Sequence, residues 1–289
     1  MLVVGDVMED IIVLPEGEMV RGSDVRAKIR RLPGGSGANQ AMWLGAFDVP
    51  VRFLARVGVN DLERYRALFI KNGVTPLFSA DKDLPTGQLV TLVDSDGERS
   101  FFTDRAANTA LNISDCPDDI LDNVGLVHFS GYAFFEPGPR SVAIELMARA
   151  KKKKIPISID PASTGFLAEV GASQFLDWTK GASFCFPNQE EAALLSGTSD
   201  TEQQVKALGA YFDLVVIKLG AQGALVGRRD GIIAQVPTEQ IRVVDTTGAG
   251  DAFLAGFVSA LRKGTALELS LTLANTAGAK AATQMGGQP

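Results

Sequence analysis

The 289-residue sequence contains a single histidine, His128, and only two cysteines, Cys116 and Cys185. Two isolated cysteines are too few for a disulfide framework or a structural zinc site, and one histidine argues against a histidine-based metal centre or a Ser-His-Asp triad. His128 lies inside an apolar run, so we expect it to be a core residue rather than a catalyst. The sequence therefore disfavours nucleophilic hydrolase chemistry.

Positive charge is outnumbered, with 28 Lys and Arg against 34 Asp and Glu. The formal net charge is −6, and the acidic residues are scattered rather than grouped, which argues against nucleic acid or an anionic membrane as a partner. The first ten residues, MLVVGDVMED, contain three acidic and no basic residues, unlike a signal peptide or a membrane-spanning helix. We therefore expect a cytoplasmic protein.

The chain shows no internal repeat, no low-complexity tract and no long linker, so we expect a single domain spanning residues 1–289. Short apolar strands are predicted at 2–4, 52–55, 125–129, 155–159, 183–186 and 214–217. Helices are predicted at 38–44, 141–150, 189–196 and 252–261. This alternation predicts a three-layer α/β/α sandwich around a mainly parallel central sheet.

Two segments interrupt this alternation, residues 11–32 and 87–105. The first segment is polar and poor in helix signals. In the second, apolar and polar residues alternate on both sides of an SDG turn at residues 95–97, which predicts a hairpin. We expect the two segments to pair as a small antiparallel sheet that covers a cleft. The alternative is a hairpin that only decorates the surface.

The stretch VVDTTGAGDAF at residues 243–253 combines glycine with charge. The preceding IRVV at 241–244 has strand character and AFLAGFVSAL at 252–261 has helical character, so TTGAGD is predicted at a strand-to-helix turn. Gly248 and Gly250 would let backbone N–H groups converge on an anion at the helix start. Asp251 beside a bound phosphate suggests a base that accepts a proton from an attacking hydroxyl. The alternative is a first-turn carboxylate stabilised by the helix dipole.

A second glycine-rich stretch, LPGGSGANQA at residues 32–41, also opens a helix. Asn39 would bring an amide into a glycine-lined pocket that suits neighbouring hydroxyls. Asp6 and Asp10 follow the first strand, where ligands collect at the carboxyl ends of parallel strands. These acceptors together are suited to holding a polyol.

Two further motifs follow strands. Asn188 and Glu191 in FPNQEEAALL are three residues apart at a helix start, where they could bind Mg²⁺ or form a capping box. The glycines of KLGAQG at residues 218–223 would let the backbone lie along a nucleotide. No GxxxxGK[ST] motif occurs, so the signal is not that of a Walker phosphate loop.

Together these motifs resemble those of the ribokinase-like (PfkB) family of carbohydrate and nucleoside kinases. GGSGANQA at 34–41 is similar to the first family signature, DTTGAGDAF at 245–253 to the second, and NQEE at 188–191 to the family's NxxE motif. Their order and spacing extend the resemblance over nearly the whole chain. It implies a ribokinase-like sandwich with a β lid and transfer of the γ-phosphoryl group of ATP to a substrate hydroxymethyl group.

The resemblance also implies roles for individual residues. Asp251 would be the general base, and the backbone of Gly248, Ala249 and Gly250 would bind the transferring phosphate. The other implied positions are Asn188 and Glu191 for Mg²⁺ and phosphate; Asp10, Gly34, Gly35 and Asn39 for the sugar; Lys218, Gly220, Gly223 and Asn275 for the nucleotide; and Asp245 and Thr247 for a monovalent cation such as K⁺.

The sequence leaves the function class and the acceptor open. The leading hypothesis is a sugar kinase, and the alternatives are a nucleoside kinase or an inactive relative that binds sugar or nucleotide. A nucleoside kinase needs a slot for the base. Such a slot could be lined by Phe101, Phe102, Tyr132 and Phe134, or these residues could instead pack in the core and the lid.

Two further expectations concern Arg105 and the lid. Arg105 would meet an acidic sugar such as a ketodeoxy-aldonate, or form a surface ion pair. Apolar alternation at residues 89–93 suggests a homodimer formed through the lid.

Overall fold

The computed structural model describes residues 1–19, 21–93 and 99–289. The predicted SDG turn at residues 95–97 lies outside these described residues. Within them, no helix has the length and apolar character needed to cross a membrane.

The described residues form a succession of strands and helices. The strands are β1 (Leu2–Val4), β2 (Met8–Pro15), β3 (Ala27–Gly34), β4 (Val51–Gly58), β5 (Val74–Asp81), β6 (Gly87–Val93), β7 (Arg99–Asp104), β8 (Val127–Ser130), β9 (Ile157–Asp160), β10 (Phe184–Cys185), β11 (Leu214–Lys218), β12 (Ala224–Arg228) and β13 (Gly231–Val236). The α-helices are α1 (Ser36–Ala46), α2 (Leu62–Lys71), α3 (Tyr132–Phe135), α4 (Pro137–Lys152), α5 (Thr164–Val170), α6 (Ala172–Thr179), α7 (Gln189–Ser196), α8 (Thr201–Leu208), α9 (Ala249–Arg262) and α10 (Leu267–Ala282).

Nine of these strands form one large sheet in the order β13-β12-β11-β10-β9-β8-β1-β4-β5. Every neighbouring pair from β11 to β5 is parallel, while β12 and β13 extend the edge as antiparallel strands. The inner strands β1, β8 and β9 are buried along their whole length, as expected for a sheet covered on both faces. The predicted mainly parallel sheet is therefore confirmed.

The two faces of the sheet carry separate apolar cores. Leu2 and Val4 point into one core, while Val3 points into the other, because successive side chains of a strand alternate between faces. The first core is closed by helices α3 to α8, and the second by α1, α2, α9 and α10. This is the expected three-layer α/β/α arrangement.

A second, four-stranded sheet, here called the lid, has the order β3-β2-β6-β7. The expectation of a purely antiparallel lid is wrong, because β2 and β6 pair in parallel, while β2–β3 and β6–β7 are antiparallel hairpins. The reason is topological. β2 follows the carboxyl end of β1 and β6 follows the carboxyl end of β5, so both strands leave the large sheet from the same side and run in the same direction.

The predicted strand at residues 241–244 is also wrong, because this segment is irregular. Strand β13 is the outermost strand at this edge of the large sheet, and Pro237, which has no N–H to donate to a strand partner, follows it directly. The segment is instead tied to the end of α10 by a 2.8 Å hydrogen bond from the Val244 N–H to the Ala282 carbonyl. The glycine-rich turn therefore joins a loop, rather than a strand, to helix α9.

Candidate active site

The strand order of the large sheet reverses at β1, which lies between β8 and β4. Such a switch point leaves a crevice at the carboxyl ends of the strands. Helix α1 begins in this crevice, where the Gly37 N–H donates a 3.0 Å hydrogen bond to Oδ1 of Asp6. Gly35 precedes the helix at φ 95°, and a Cβ there would lie 2.7 Å from the Asp6 carbonyl oxygen. Only glycine can bring the helix this close to β1.

Helix α9 begins in the same crevice with Gly248, which has a left-handed backbone at φ 75°. A Cβ at Gly248 would collide with the backbone of Gly287 near the end of the chain. Ala249, Gly250 and Asp251 form the first turn, and the first turn carries the positive end of the helix dipole. The glycine-rich helix start predicted from the sequence is therefore present in the structure.

The carboxylate of Asp251 is held by residues of α1. The Ser36 hydroxyl donates to Oδ1 at 2.8 Å, and Nδ2 of Asn39 donates to Oδ2 at 3.1 Å. Burial and the negative charge of Asp160 raise the pKa of Asp251 to about 7, against the opposing effect of these hydrogen bonds and the Lys218 ammonium. A carboxyl group with this pKa can accept a proton near neutral pH.

Lys218, at the end of β11, forms an ion pair with Asp160 at the end of β9, with 2.9 Å between Nζ and Oδ2. Burial acts to lower the pKa of Lys218, but the charges of Asp160 and Glu191 outweigh it and raise that pKa. A Cβ added to Gly250 would lie 3.2 Å from Nζ, so the ammonium lies beside the first turn of α9. The ammonium and the helix start thus form one positively polarised wall.

Asn188 and Glu191 form the capping box of helix α7. Oδ1 of Asn188 accepts from the Glu191 N–H, and Oε2 of Glu191 accepts from the Asn188 N–H, both at 2.8 Å. The capping-box interpretation is confirmed. Glu191 also lines the crevice, and burial raises its pKa to about 7. A structural role and a ligand-binding role are therefore compatible at this position.

A cavity of about 530 Å³, here called the central cavity, fills the crevice beneath the lid. Leu89 and Thr103 of the lid contribute to its wall, so the lid does more than decorate the surface. Most of the residues predicted from the sequence line this cavity, namely Asp6, Asp10, Gly35, Asn39, Arg105, Asn188, Glu191, Lys218, Gly220, Thr247, Gly248, Ala249, Gly250 and Asp251.

An adjoining cavity of about 360 Å³, here called the side cavity, contains Gly223 and Asn275. Lys218, Gly220 and Gly250 line both cavities, so the two meet at the start of α9. The Asn275 amide donates to the carbonyls of Val236 and Pro237 at 3.1 and 3.2 Å. Asn275 therefore shapes the side cavity by fixing the loop after β13.

Two predicted residues lie outside both cavities. Asp245 lines a smaller cavity of about 180 Å³ under the lid, together with Asp10 and Thr247. Its Oδ1 accepts from the N–H and the hydroxyl of Thr247, and its Oδ2 accepts from the Gly286 N–H. Gly34 lines none of these three cavities, but its backbone packs against the Asp10 carboxylate, which leaves no space for a Cβ.

Three side chains that line the central cavity have a buried polar atom without a hydrogen-bond partner among the described residues. These atoms are Oδ1 of Asp10, Oδ1 of Asn39 and Nε of Arg105. Buried polar groups are rarely left unpaired in proteins, so the set indicates a polar ligand with both donors and acceptors. Burial, Asp6 and Asp245 raise the pKa of Asp10 to about 7.

The surface ion pair considered for Arg105 is wrong, because the residue is only 8% exposed and forms no salt bridge with the described residues. Three of the four aromatic residues considered for a base slot do not line the central cavity. Phe134 is buried in the core and Phe102 is 61% exposed. Phe101 lines only the small cavity under the lid, so that Tyr132 alone of the four aromatic residues lines the central cavity.

Sequence reasoning missed Ser36 and Asp160, which hold Asp251 and Lys218. Asp160 could have been found as a carboxylate at the end of a parallel strand, although the predicted strand stopped one residue before it. The expectation that His128 is a core residue is confirmed. It is fully buried between Ser158 and Oε1 of Gln40, at 2.5 and 2.8 Å, and burial lowers its pKa to about 3.

The described residues contain no group of three or more His, Cys, Asp or Glu side chains arranged to hold a metal ion. In phosphoryl-transfer sites, Mg²⁺ is commonly shared with phosphates and waters and touches only one or two carboxylates of the protein. Glu191 fits the description of such a carboxylate, since only its Oε2 is used in the capping box and the residue lines the cavity beside Lys218.

The sequence is similar to those of known carbohydrate and nucleoside kinases. The profile of the pfkB family of carbohydrate kinases matches residues 1–289. An aminoimidazole riboside kinase of Salmonella typhimurium is 29% identical over 275 residues, covering 89% of this chain and 83% of the relative. A ribokinase of Arabidopsis thaliana is 30% identical over 292 residues, covering 96% of this chain and 74% of the relative.

Solved structures share the fold. An adenosine kinase from Sinorhizobium meliloti superimposes with a TM-score of 0.89 at 23% identity, covering 100% of this chain and 95% of the other. A fructokinase from Vibrio cholerae, solved with fructose, ADP and calcium ion, superimposes with a TM-score of 0.81 at 26% identity, covering 99% of this chain and 93% of the other.

Proposed function

The chain belongs to the pfkB family of carbohydrate kinases, and on this premise we propose that it transfers the γ-phosphoryl group of ATP to a primary hydroxyl of a small carbohydrate. The observation that carries this proposal is the half-buried Asp251 carboxylate, which lies in the first turn of α9 with a pKa near 7. A carboxylate at this helix start repels a bound phosphate, so its position needs an explanation. A role as the base that accepts the proton of the attacking hydroxyl provides one.

In the proposed reaction, the acceptor hydroxyl oxygen attacks the γ-phosphorus of ATP, and the bond from that phosphorus to the β,γ-bridging oxygen breaks to release ADP. Asp251 accepts the hydroxyl proton. The backbone of Gly248, Ala249 and Gly250, together with the Lys218 ammonium, binds the negative charge of the transferring group. The lid closes over the central cavity and excludes water that would otherwise hydrolyse ATP.

The acceptor would bind under the lid. Asp10 and Asn39 each offer a buried oxygen without a hydrogen-bond partner in the described part of the chain, and these oxygens suit donation from sugar hydroxyls. Asp6, Gly34 and Gly35 complete this half of the site by positioning the start of α1 and the Asp10 carboxylate. This arrangement supports a polyol as the acceptor.

We propose that the nucleotide occupies the side cavity lined by Lys218, Gly220, Gly223 and Asn275. The fructokinase with ADP and calcium ion supports a nucleotide and a divalent cation in a site of this fold. Mg²⁺ held near Glu191 and Asn188 would neutralise phosphate charge. A monovalent cation such as K⁺ would bind near Asp245 and Thr247, whose oxygen atoms lie 2.8 Å apart.

A sugar is favoured over a nucleoside as acceptor because of the aromatic residues. Only Tyr132 of the four candidate slot residues lines the central cavity, and its ring is covered by the Arg105 guanidinium. A base-binding slot would need a free aromatic face. The inactive-relative hypothesis is disfavoured by the intact cradle around Asp251.

An ADP-release assay with a panel of sugars and nucleosides tests this proposal. We expect a sugar to stimulate ADP formation, and Asp251→Asn to lower kcat by about 10³-fold with little change in ATP affinity. Asp213→Asn, an exposed carboxylate before β11, is the matched control. Near-normal turnover by Asp251→Asn would remove the base assignment, and no stimulation by any acceptor would favour a binding protein.

A further inference from the structure

We propose that the phosphoryl acceptor is an anionic sugar, whose carboxylate or phosphate group binds Arg105. This inference rests on the proposed kinase function and narrows its substrate class. It begins from a buried arginine that lines the acceptor half of the central cavity without an ion-pair partner in the described part of the chain.

Arg105 follows β7 and immediately precedes a 3₁₀ turn at Ala106–Ala110. Its guanidinium carbon lies 4.6 Å from the ring centroid of Tyr132, and one Nη donates a 3.2 Å hydrogen bond to the Tyr132 carbonyl. The Asp104 carboxylate accepts from the Ala106 N–H at 3.0 Å and fixes the turn. The arginine is therefore positioned firmly by an aromatic face and a backbone contact.

These contacts leave part of the hydrogen-bonding capacity and the whole charge of the guanidinium without a partner in the described part of the chain. Its Nε is buried and has no hydrogen-bond partner among the described residues, and none of their carboxylates lies within ion-pair distance of it. Burying a charged group without a partner is unfavourable. A ligand that supplies the missing anion would remove this penalty, since a planar guanidinium binds carboxylate or phosphate through two parallel N–H donors.

The charges around Arg105 are compatible with an anionic ligand. Asp6 lines the same cavity, but its Oδ1 already accepts from the Gly37 N–H. Burial and the charges of Asp6 and Asp245 raise the pKa of Asp10 to about 7, which favours its neutral form. The remaining cation of the cavity, Lys218, is paired with Asp160. Arg105 is therefore the cation available to an anionic group on the acceptor.

The test compares anionic acceptors with a neutral sugar of the same carbon skeleton. The wild-type chain is assayed with ATP and Mg²⁺ against 2-keto-D-gluconate and its 3-deoxy analogue, fructose 1-phosphate, and neutral fructose. We expect one anionic class to exceed fructose in kcat/KM on the order of 100-fold. The two arms distinguish a sugar acid from a sugar phosphate. A higher kcat/KM for fructose than for every anionic acceptor would overturn the proposal.

Arg105→Gln should lower the ratio of kcat/KM for the anionic over the neutral acceptor on the order of 100-fold, mainly through KM, and Arg105→Lys should restore part of it. Arg140→Gln is the matched control, since Arg140 also stacks on an aromatic ring, at 4.3 Å from Trp178, and donates to the Phe134 carbonyl. An equal loss for both acceptors in Arg105→Gln would indicate a structural role and contradict the proposal.

Binding to the Asp251→Asn chain separates this inference from the kinase proposal. Calorimetric titration with the same sugars should show tighter binding of an anionic sugar than of fructose, and Arg105→Gln in that background should remove the difference. This result would support the anion site even if no acceptor were phosphorylated. Equal or tighter binding of fructose would overturn the anion site even if the kinase function held.

Discussion

The hydroxyl of Ser36 donates a 2.8 Å hydrogen bond to Oδ1 of Asp251, although the two residues are 215 positions apart in the chain. The bond joins the first turns of α1 and α9, and so links the two glycine-rich stretches into one site. It favours the ionised form of a carboxylate whose burial favours the protonated form. Ser36 therefore helps set the pH at which Asp251 can act as a base.

The first prediction concerns the pH dependence of the reaction. Because the pKa of Asp251 is raised to about 7, kcat/KM should rise with pH through about 7 as the carboxylate ionises. Ser36→Ala removes a donor that favours the carboxylate, so the acidic limb should move to higher pH by about one unit. Rate profiles of both proteins measure this shift. Ser141→Ala, outside the site, should leave the limb unchanged, and an unchanged limb in Ser36→Ala would contradict the prediction.

The bond between Ser36 and Asp251 also shows where sequence reasoning ends. Local patterns predicted the helix at residues 189–196 with the bounds that α7 has in the structure, because its capping box and periodicity lie within a few residues. They also predicted the glycine-rich helix starts. They could not pair Ser36 with Asp251 or Lys218 with Asp160, since these contacts depend on how distant strands are ordered in the sheet.

The errors have the same origin. The segment 241–244 is apolar enough for a strand, but its Val244 N–H bonds to the Ala282 carbonyl at the end of α10, and propensity cannot reveal that contact. The lid strands β2 and β6 are parallel because both leave the large sheet at the carboxyl ends of its strands. Their relative direction follows from the topology of the whole domain rather than from either segment.

The second prediction concerns the ion pair between Lys218 and Asp160, whose side chains are 15% and 4% exposed. Lys218→Met should lower kcat/KM for ATP by about 10- to 100-fold, because the transferring phosphate loses a cation. It should also lower the free energy of unfolding by roughly 3 kcal/mol, because Asp160 is left buried and unpaired. Steady-state kinetics and urea unfolding measure the two effects.

The double variant Lys218→Met with Asp160→Asn separates these effects. Removing both charges should recover most of the lost stability while the activity stays low. Lys206→Met breaks the exposed pair with Glu202, in which the side chains are 49% and 59% exposed, and should leave the free energy of unfolding almost unchanged. Recovery of activity in the double variant would rule out a direct role for the ammonium.

The third prediction separates the structural and ligand-binding roles of Glu191. Glu191→Gln retains an oxygen that can accept from the Asn188 N–H, so the stability should change little, but the loss of charge should raise the Mg²⁺ concentration needed for half-maximal rate by about 10-fold. Glu191→Ala should lose both properties. Magnesium titrations at fixed ATP, combined with thermal melts, provide the measurement.

Helix α8 supplies a control for the cap alone. Asp200 accepts a 2.8 Å hydrogen bond from the Gln203 N–H at the exposed start of this helix, so Asp200→Ala should lower the free energy of unfolding by roughly 1 kcal/mol and leave the Mg²⁺ requirement unchanged. If Glu191→Gln also left the Mg²⁺ requirement unchanged, Glu191 would be a helix cap only.

The fourth prediction concerns the outer face of the lid. The strand register places Ile11 of β2, Val90 of β6 and Phe102 of β7 side by side on one face, next to Ile29 of β3. Ile29 and Phe102 are 62% and 61% exposed. The opposite face carries Phe101 and lines the small cavity under the lid. An exposed apolar sheet face of this kind is typical of a contact surface, so we expect a homodimer formed through the lid.

Sedimentation equilibrium at micromolar concentration should detect this dimer, and Phe102→Asp should convert it to a monomer because a carboxylate would be buried at the centre of the contact. Phe101→Asp introduces the same charge one residue away on the inner face, and should leave the dimer intact. Because the two variants place the same charge on opposite faces of β7, they test whether the outer face of the lid forms the contact. A monomeric wild-type chain would remove the proposal, and equal dissociation by both variants would show that the lid sheet itself had been disrupted.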